Sequence, residues 1–243
     1  KKTREAKFDI QVDGLASRDL NVYADHIFTR GTCAGLAHQR VPFGVMWATT
    51  NGGQLKGMTY QSEQQVWAWH AHTLGGDGIG LNLTPAVRSL ASITSPDGVN
   101  DDLWLCVERT INGSTVYYVE ALGPHLAYTL LGYVYADDLT NVKDSLHLDC
   151  AIQKTLLAGA TTITGLAHLE SEDVAAVVDG MYRVPATVTA GARTVSGVDD
   201  ACKAWVGFLR NADCIPAPLV GQSEAGTPQG KKARIASASV RVK

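Results

Sequence analysis

Between residues 45 and 122 the chain runs twice through alternating apolar, β-branched and aromatic positions into an Asn-Gly pair and out again. The first pass reads VMWATTNGGQLKGMTYQSEQQVWAWHAH and the second DLWLCVERTINGSTVYYVEAL. Side chains alternate between the two faces of a strand, and Asn-Gly readily adopts positive φ, so each pass predicts a β-hairpin. Trp47 and Trp104 hold matching places, 57 residues apart. That spacing, somewhat above the ~40–50 residues of common propeller repeats, predicts two successive blades of antiparallel sheet.

On either side the pattern changes. Residues 7–12 predict a strand. Ser17 then stands as the cap of a short helix carrying Leu20, Tyr23, Ala24, Ile27 and Phe28 at i, i+3, i+4, i+7 and i+8. Gly31, Gly35 and Pro42 break the chain before the first hairpin. GGDGIG at 75–80 reads as a loop, 89–94 as a strand, and SPDGVNDD at 95–102 as a turn whose Asp101-Asp102 solvates the approach to the Trp104 strand. Residues 123–149, with Tyr128, Tyr133 and Tyr135, have no period and predict a long connection. Short strands follow at 147–152, 161–164, 174–179, 186–189, 204–209 and 233–242, separated by turns such as Asp179-Gly180 and Ala190-Gly191. Residues 221–232 are a polar, glycine-containing loop.

The expected fold is mainly β: propeller-like blades of antiparallel sheet, then a small β-sandwich or barrel domain, with one short N-terminal helix. The expected divisions are 1–44, a strand and helix packing on the sheets; 45–122, the hairpin repeats; 123–149, the connecting excursion; and 150–243, the sandwich-like domain.

Composition narrows the function. With 243 residues, 45% of them hydrophobic, the chain can bury a real core, and no apolar run approaches the ~20 residues that would cross a bilayer as a helix. The net charge of -3 argues against nucleic-acid binding by clustered Lys and Arg. A near-neutral wall past which DNA slides is compatible with it. Cys33, Cys106, Cys150, Cys202 and Cys214 form no CxxC pair, so reduced thiols are expected and a zinc site is not; Cys106 and Cys202 read as small core residues.

Candidate chemistry is sparse. His70 and His72 share one strand face with Val66 and Ala68, and two imidazoles so placed can meet a metal. No carboxylate or third His is fixed beside them, so the plainer reading puts Trp67, Trp69 and Ala71 in a core and leaves the His face half-solvated. A single GGDGIG is a loop rather than a calcium repeat. Asp101-Asp102 and Asp137-Asp138 point to opposite faces and cannot act as acid and base together; a distant pair such as Glu108 with Asp149 remains open. There is no GxSxG elbow, phosphate loop or dinucleotide fingerprint. Trp47, Trp67, Trp69, Trp104 and Trp205 read as core aromatics, and Lys231, Lys232, Arg234 and Arg241 as a solvated edge or a contact for an acidic neighbour. No catalytic, cofactor-binding or metal-binding residue is assigned.

Four blocks carry a resemblance: GQLKGMTYQSEQQVWAWHAHT at 53–73, DDLWLCVERTINGSTVYYVEAL at 101–122, ITGLAHLESEDVAAVVDG at 163–180 and the closing GKKARIASASVRVK at 230–243. In this order they resemble the tail nozzle proteins of short-tailed bacteriophages, also called tail tubular protein B, and the resemblance covers nearly the whole chain. It implies a structural virion protein of the phage tail, assembled in the host cytoplasm as a homo-oligomeric ring, a hexamer, beneath the tail adaptor and portal. The bore would pass double-stranded DNA without sequence preference during ejection, and the ring would support tail fibres or spikes. No enzyme activity, cofactor or membrane span is implied. Family members are longer, and this chain starts Lys-Lys, so it is expected to be a C-terminal part. Loops 75–88, 123–146 and 221–232 are the candidates for meeting fibres, spikes or the cell surface, or for narrowing the bore. The alternative is a carbohydrate-binding or glycoside-cleaving β-propeller that recognises a receptor; a weaker third reading is a scaffold module of an intracellular assembly.

Overall fold

The computed structural model describes residues 2–22, 24–28, 31–64, 66–78, 83–96, 98–123 and 146–210. All belong to the larger of two units, Lys1–Arg210, the other being Asn211–Lys243. The described chain is mainly β, every pairing is antiparallel, and none of its sheets closes into a barrel.

The N-terminal segment departs from its helical pattern. β1 (Arg4–Asp9) pairs with β2 (Gly14–Asp19), and Ser17 lies opposite Ala6 rather than capping a helix. Asp13, with φ 45°, and Gly14 supply the turn chemistry of a hairpin. β2 takes the chain up to Asp19, so the expected cap at Ser17 is lost and the stripe from Leu20 to Phe28 is shorter than the ~12–15 residues a helix needs to be stable by itself; among the described residues a 3-10 turn forms at Asp25–Phe28. It buries Phe28.

β3 (Cys33–Gln39), β4 (Val45–Thr50), β5 (Leu55–Gln61) and β6 (Val66–His72) make a four-stranded meander, and β7 (Ala86–Thr94), β8 (Asp101–Ile111) and β9 (Ser114–Ala121) a three-stranded one. β3 replaces the expected break: its pairing with β4 shifts register between Cys33 and Gly35, so the glycine sits at an edge-strand irregularity instead of ending the chain's extension. Trp47 and Trp104 both occupy the second strand of their sheets. Their faces differ, for Trp47 is 4% exposed and Trp104 39%. The turns differ too. Asn112 and Gly113 both take positive φ, 48° and 72°, whereas in the first hairpin that conformation falls on Gly53 (φ 78°) and Asn51 instead accepts a hydrogen bond from Thr32 N.

The second half contains β10 (Asp149–Leu156), β12 (Asp173–Val178), β13 (Met181–Thr187) and β15 (Cys202–Phe208) in a sheet of order β10-β15-β12-β13, beside the short pair β11 (Thr162–Thr164) and β14 (Ala192–Thr194). The strand expected at 186–189 is the end of β13, which starts just after the Asp179-Gly180 turn. The expected strand at 233–242 lies outside the described residues.

Two cores result. Trp47, Leu55 and Val87 meet Leu103, Leu105 and Val107 between the first two sheets, while Val174, Ala176, Val178, Ala204, Val206 and Phe208 centre the other. β8 reaches both, because Ile111 joins the second core and Val116 and Tyr118 of β9 pack against it. β12 is buried on each side, its alternate residues Ala175 and Val177 meeting Leu148, as its unbroken VAAVV run requires.

The turn glycines separate close packing from conformational preference. A Cβ on Gly53 would stand 2.4 Å from Ala86 Cβ, whereas one on Gly113 would meet nothing within 4 Å. In chemical denaturation, Gly113→Ala is expected to cost about 1–2 kcal/mol for its left-handed backbone, and Gly53→Ala about 1–3 kcal/mol more for the displaced β7. Equal losses would mean the turn does not bear on β7.

Candidate functional site

The paired histidines lie in a row across the four-stranded sheet: Ala37, Trp47, Gly57 and His70 are aligned partners on β3 to β6. Gly57 makes this possible, since a Cβ there would come within 2.1 Å of His70 Cε1. The His70 ring therefore reaches across β5 to Trp47, 5.8 Å between centroids, with His72 at 5.0 Å. Trp47 Nε1 in turn donates to Gln39 Oε1 at 2.9 Å.

His70 Nδ1 and His72 Nε2 are 2.6 Å apart, so one must donate and the other accept. Burial, followed by the neighbouring charges of His70, Arg210 and Lys56, pushes His72 down to about 4; burial also lowers His70. A neutral, mutually bonded pair turns its nitrogens on each other, and no group of three His, Cys, Asp or Glu side chains able to hold a metal occurs among the described residues. The His face is half-solvated as expected, with Val66 and Ala68 exposed, and its two half-buried rings pack on Trp47. The Trp face is covered by the N-terminal segment, where Trp69 Nε1 donates to the Leu20 carbonyl at 3.0 Å, Phe28 meets Trp69 edge-on, and the Arg18 guanidinium lies 3.7 Å over Trp67.

The carboxylates are held by charge-assisted bonds. Asp101, only 5% exposed, accepts from Arg40 N, Nε and Nη2 at 2.9, 3.1 and 3.1 Å. These bonds hold its carboxyl at about 2. It latches the β3–β4 connection to β8 and does not solvate a turn. Glu108 accepts from Arg88 Nε at 2.7 Å, and Asp149 from Gly75 N at 2.7 Å. Glu108 lies on the face of β8 opposite Arg109, whereas the Arg109 charge acts on Asp149. The two acids do not form a catalytic pair, and Asp137-Asp138 lies outside the described residues.

The residue that sequence reasoning passed over is Arg109. It is 1% exposed; its Nε and Nη2 donate to Glu120 Oε1 and Oε2 at 2.5 and 2.8 Å, and its Nη1 to the Gly75 carbonyl at 2.6 Å. Its guanidinium lies 5.6 Å from the Phe208 ring centroid. Beside it, burial and the Glu120 charge push the Cys150 thiol up to about 12, leaving it protonated and unreactive. The available signal was its place in Leu103, Leu105, Val107, Arg109 and Ile111, one charge in an apolar stripe. The same bonds shorten the loop expected at 75–88 at both ends: Gly75 is pinned through both backbone groups, and residues 86–88 belong to β7, while Leu83 is exposed. Residues 79–82, 124–145 and 211–243 lie outside the described set, and with them most of loop 123–146, all of loop 221–232, Cys214 and the basic group from Lys231 to Arg241.

Trp47 meets the expectation of a core aromatic, and Trp205 packs against the Leu148 cluster. Trp104 does not. With Ile93, Tyr117 and Val119 it forms an exposed apolar surface on the outward side of the three-stranded sheet.

Because unfolded histidine titrates near 6.5 and folded His72 near 4, the unfolded chain binds the extra proton between those values. Stability therefore rises with pH across that window and no longer changes through this group below it. Unfolding free energies from denaturation at either end are expected to differ by about 2–3 kcal/mol more in the wild type than in His72→Gln. Equal pH slopes would contradict the buried neutral pair.

No protein-family model matches the chain, and no curated protein matches it.

Proposed function

We propose that the chain is a wall subunit of the tail nozzle of a short-tailed bacteriophage, acting mechanically rather than catalytically. In this reading the two meanders are successive propeller-like blades, the second half a sandwich-like buttress, and copies close into a sixfold ring under the adaptor. The observation that carries it is the outward apolar surface of Ile93, Trp104, Tyr117 and Val119, which falls largely within the resembling block at 101–122. A ring needs such a flank, one face of each subunit burying a different face of the next.

The other described blocks coincide with structural elements as well: residues 53–73 with β5 and β6, and 163–180 with β11 and β12. The buried carboxylates Asp101 and Glu108, with half-buried Glu120 and Asp149, serve as internal ties. That use favours a rigid wall over a glycosidase, which needs two carboxyl groups facing a sugar. DNA would pass such a wall by weak, sequence-independent contact, consistent with the net charge of -3.

Electron microscopy of intact particles carrying a labelled copy tests this reading. Label in a closed ring on the tail axis is expected; label confined to peripheral appendages would contradict it. Val119→Glu, at an exposed position, is expected to change stability by no more than about 0.5 kcal/mol while blocking ring closure in sedimentation. Unimpaired rings would remove this face from the interface.

A further inference from the structure

The β1–β2 hairpin ends in an apolar tip. Phe8, Ile10, Val12 and Leu15 are 58%, 86%, 66% and 74% exposed, and Phe8 lies opposite Leu15 in the ladder. A two-stranded ribbon has no core of its own, so large apolar side chains left in water at its end do nothing for its folding. Alternation gives the ribbon two faces. The aligned partners Glu5 and Arg18 are on one, where the Tyr60 hydroxyl donates to the Glu5 carboxylate and the Arg18 guanidinium covers Trp67. Phe8, Leu15, Ala6 and Ser17 are on the other, and all four are exposed.

This hairpin and the outward apolar surface lie on opposite sides of the paired sheets. Tyr60 and Trp67 share the face of the four-stranded sheet opposite Leu55 and His72, whereas Leu55, with Trp47, packs on Leu103, Leu105 and Val107 of β8. Trp104, between Leu103 and Leu105, points the other way. The order of layers is therefore hairpin, four-stranded sheet, shared core, three-stranded sheet, and the surface of Ile93, Trp104, Tyr117 and Val119. One chain cannot bring its own first and last layers together. Copies set head to tail bring them together directly, and the contact repeats, because each added copy leaves one hairpin and one surface free until a ring closes. Asp9 and Asp13 in the same tip speak against a lipid surface as the partner, since hydrocarbon penalises carboxylates.

We propose that the β1–β2 hairpin is the arm that joins neighbouring copies, docking Phe8, Ile10, Val12 and Leu15 on the Ile93, Trp104, Tyr117 and Val119 surface of the next chain. The inference rests on the nozzle reading for closure into a ring, and it supplies the face that meets the outward surface.

Sedimentation velocity of the whole chain tests it with two one-sided variants. Phe8→Ser with Leu15→Ser disables the arm, and Val119→Glu disables the surface. All three positions are exposed, so each variant is expected to melt within about 1–2 °C of the wild type. Each alone is expected to weaken association by about tenfold to a hundredfold, through the loss of apolar side chains taken out of water at the contact. Mixed in equal amounts, the two are expected to form dimers and nothing larger, since the intact arm of one meets the intact surface of the other and the remaining arm and surface are both defective. Rings kept by the arm variant but lost in Val119→Glu would overturn the arm and leave the nozzle reading standing. A mixture without dimers would likewise show that these two surfaces do not meet. A wild-type chain that stays monomeric would overturn the ring and the arm with it.

Discussion

A guanidinium sealed between two hydrophobic cores is the constraint on which the described unit turns. β8 carries Leu103, Leu105 and Val107 into the first core and Ile111 into the second, and the inward position between them is Arg109. Such a charge persists only if its donors are satisfied, because desolvation of an ion exceeds what an imperfect pairing returns. The fork to Glu120 and the bond to the Gly75 carbonyl satisfy it. Gly75 N in turn reaches Asp149 at the start of β10. One buried cation thus fixes β9, the segment after β6 and the approach to the second core, and each tie has a direction that apolar packing alone would not impose.

A second latch works at the opposite end of the same strand. Arg40 and Gln39 grip Asp101 through its carboxylate and its main-chain oxygen, and Gln39 also holds Trp47. The four-stranded and three-stranded sheets are therefore joined by polar ties at the rim of their shared core. Among the described residues these charged groups tie strands to one another, a use that suits a wall subunit in the proposed nozzle.

What was legible in the sequence was local. The Asn112-Gly113 turn, the alternation of β8 and β9 and the buried run of β12 follow from one strand's own residues. β2 was missed because an apolar stripe from Leu20 outweighed the Asp13-Gly14 turn, and β3 because Gly35 was read as a break. The strand faces of His70 and His72 and their partial exposure were read correctly, but not the Trp47 ring they pack on: alternation sorts side chains into two sets without saying what each meets. Asp101 makes the same point, since its place in a polar turn suggested solvent while its partner lies 61 residues earlier. Long-range pairing of this kind leaves no periodic trace. Arg109 left one, a charge interrupting an apolar stripe.

The central claim is that Arg109 couples the first core to the second, and hydrogen exchange of the native chain tests it most directly. In Arg109→Met, amides of β8–β9 and of β10 and β15 are expected to lose protection together and by the same factor, as parts of one cooperative unit. Loss confined to the Gly75 segment, with both sheets as protected as before, would show that the two cores hold without the buried cation.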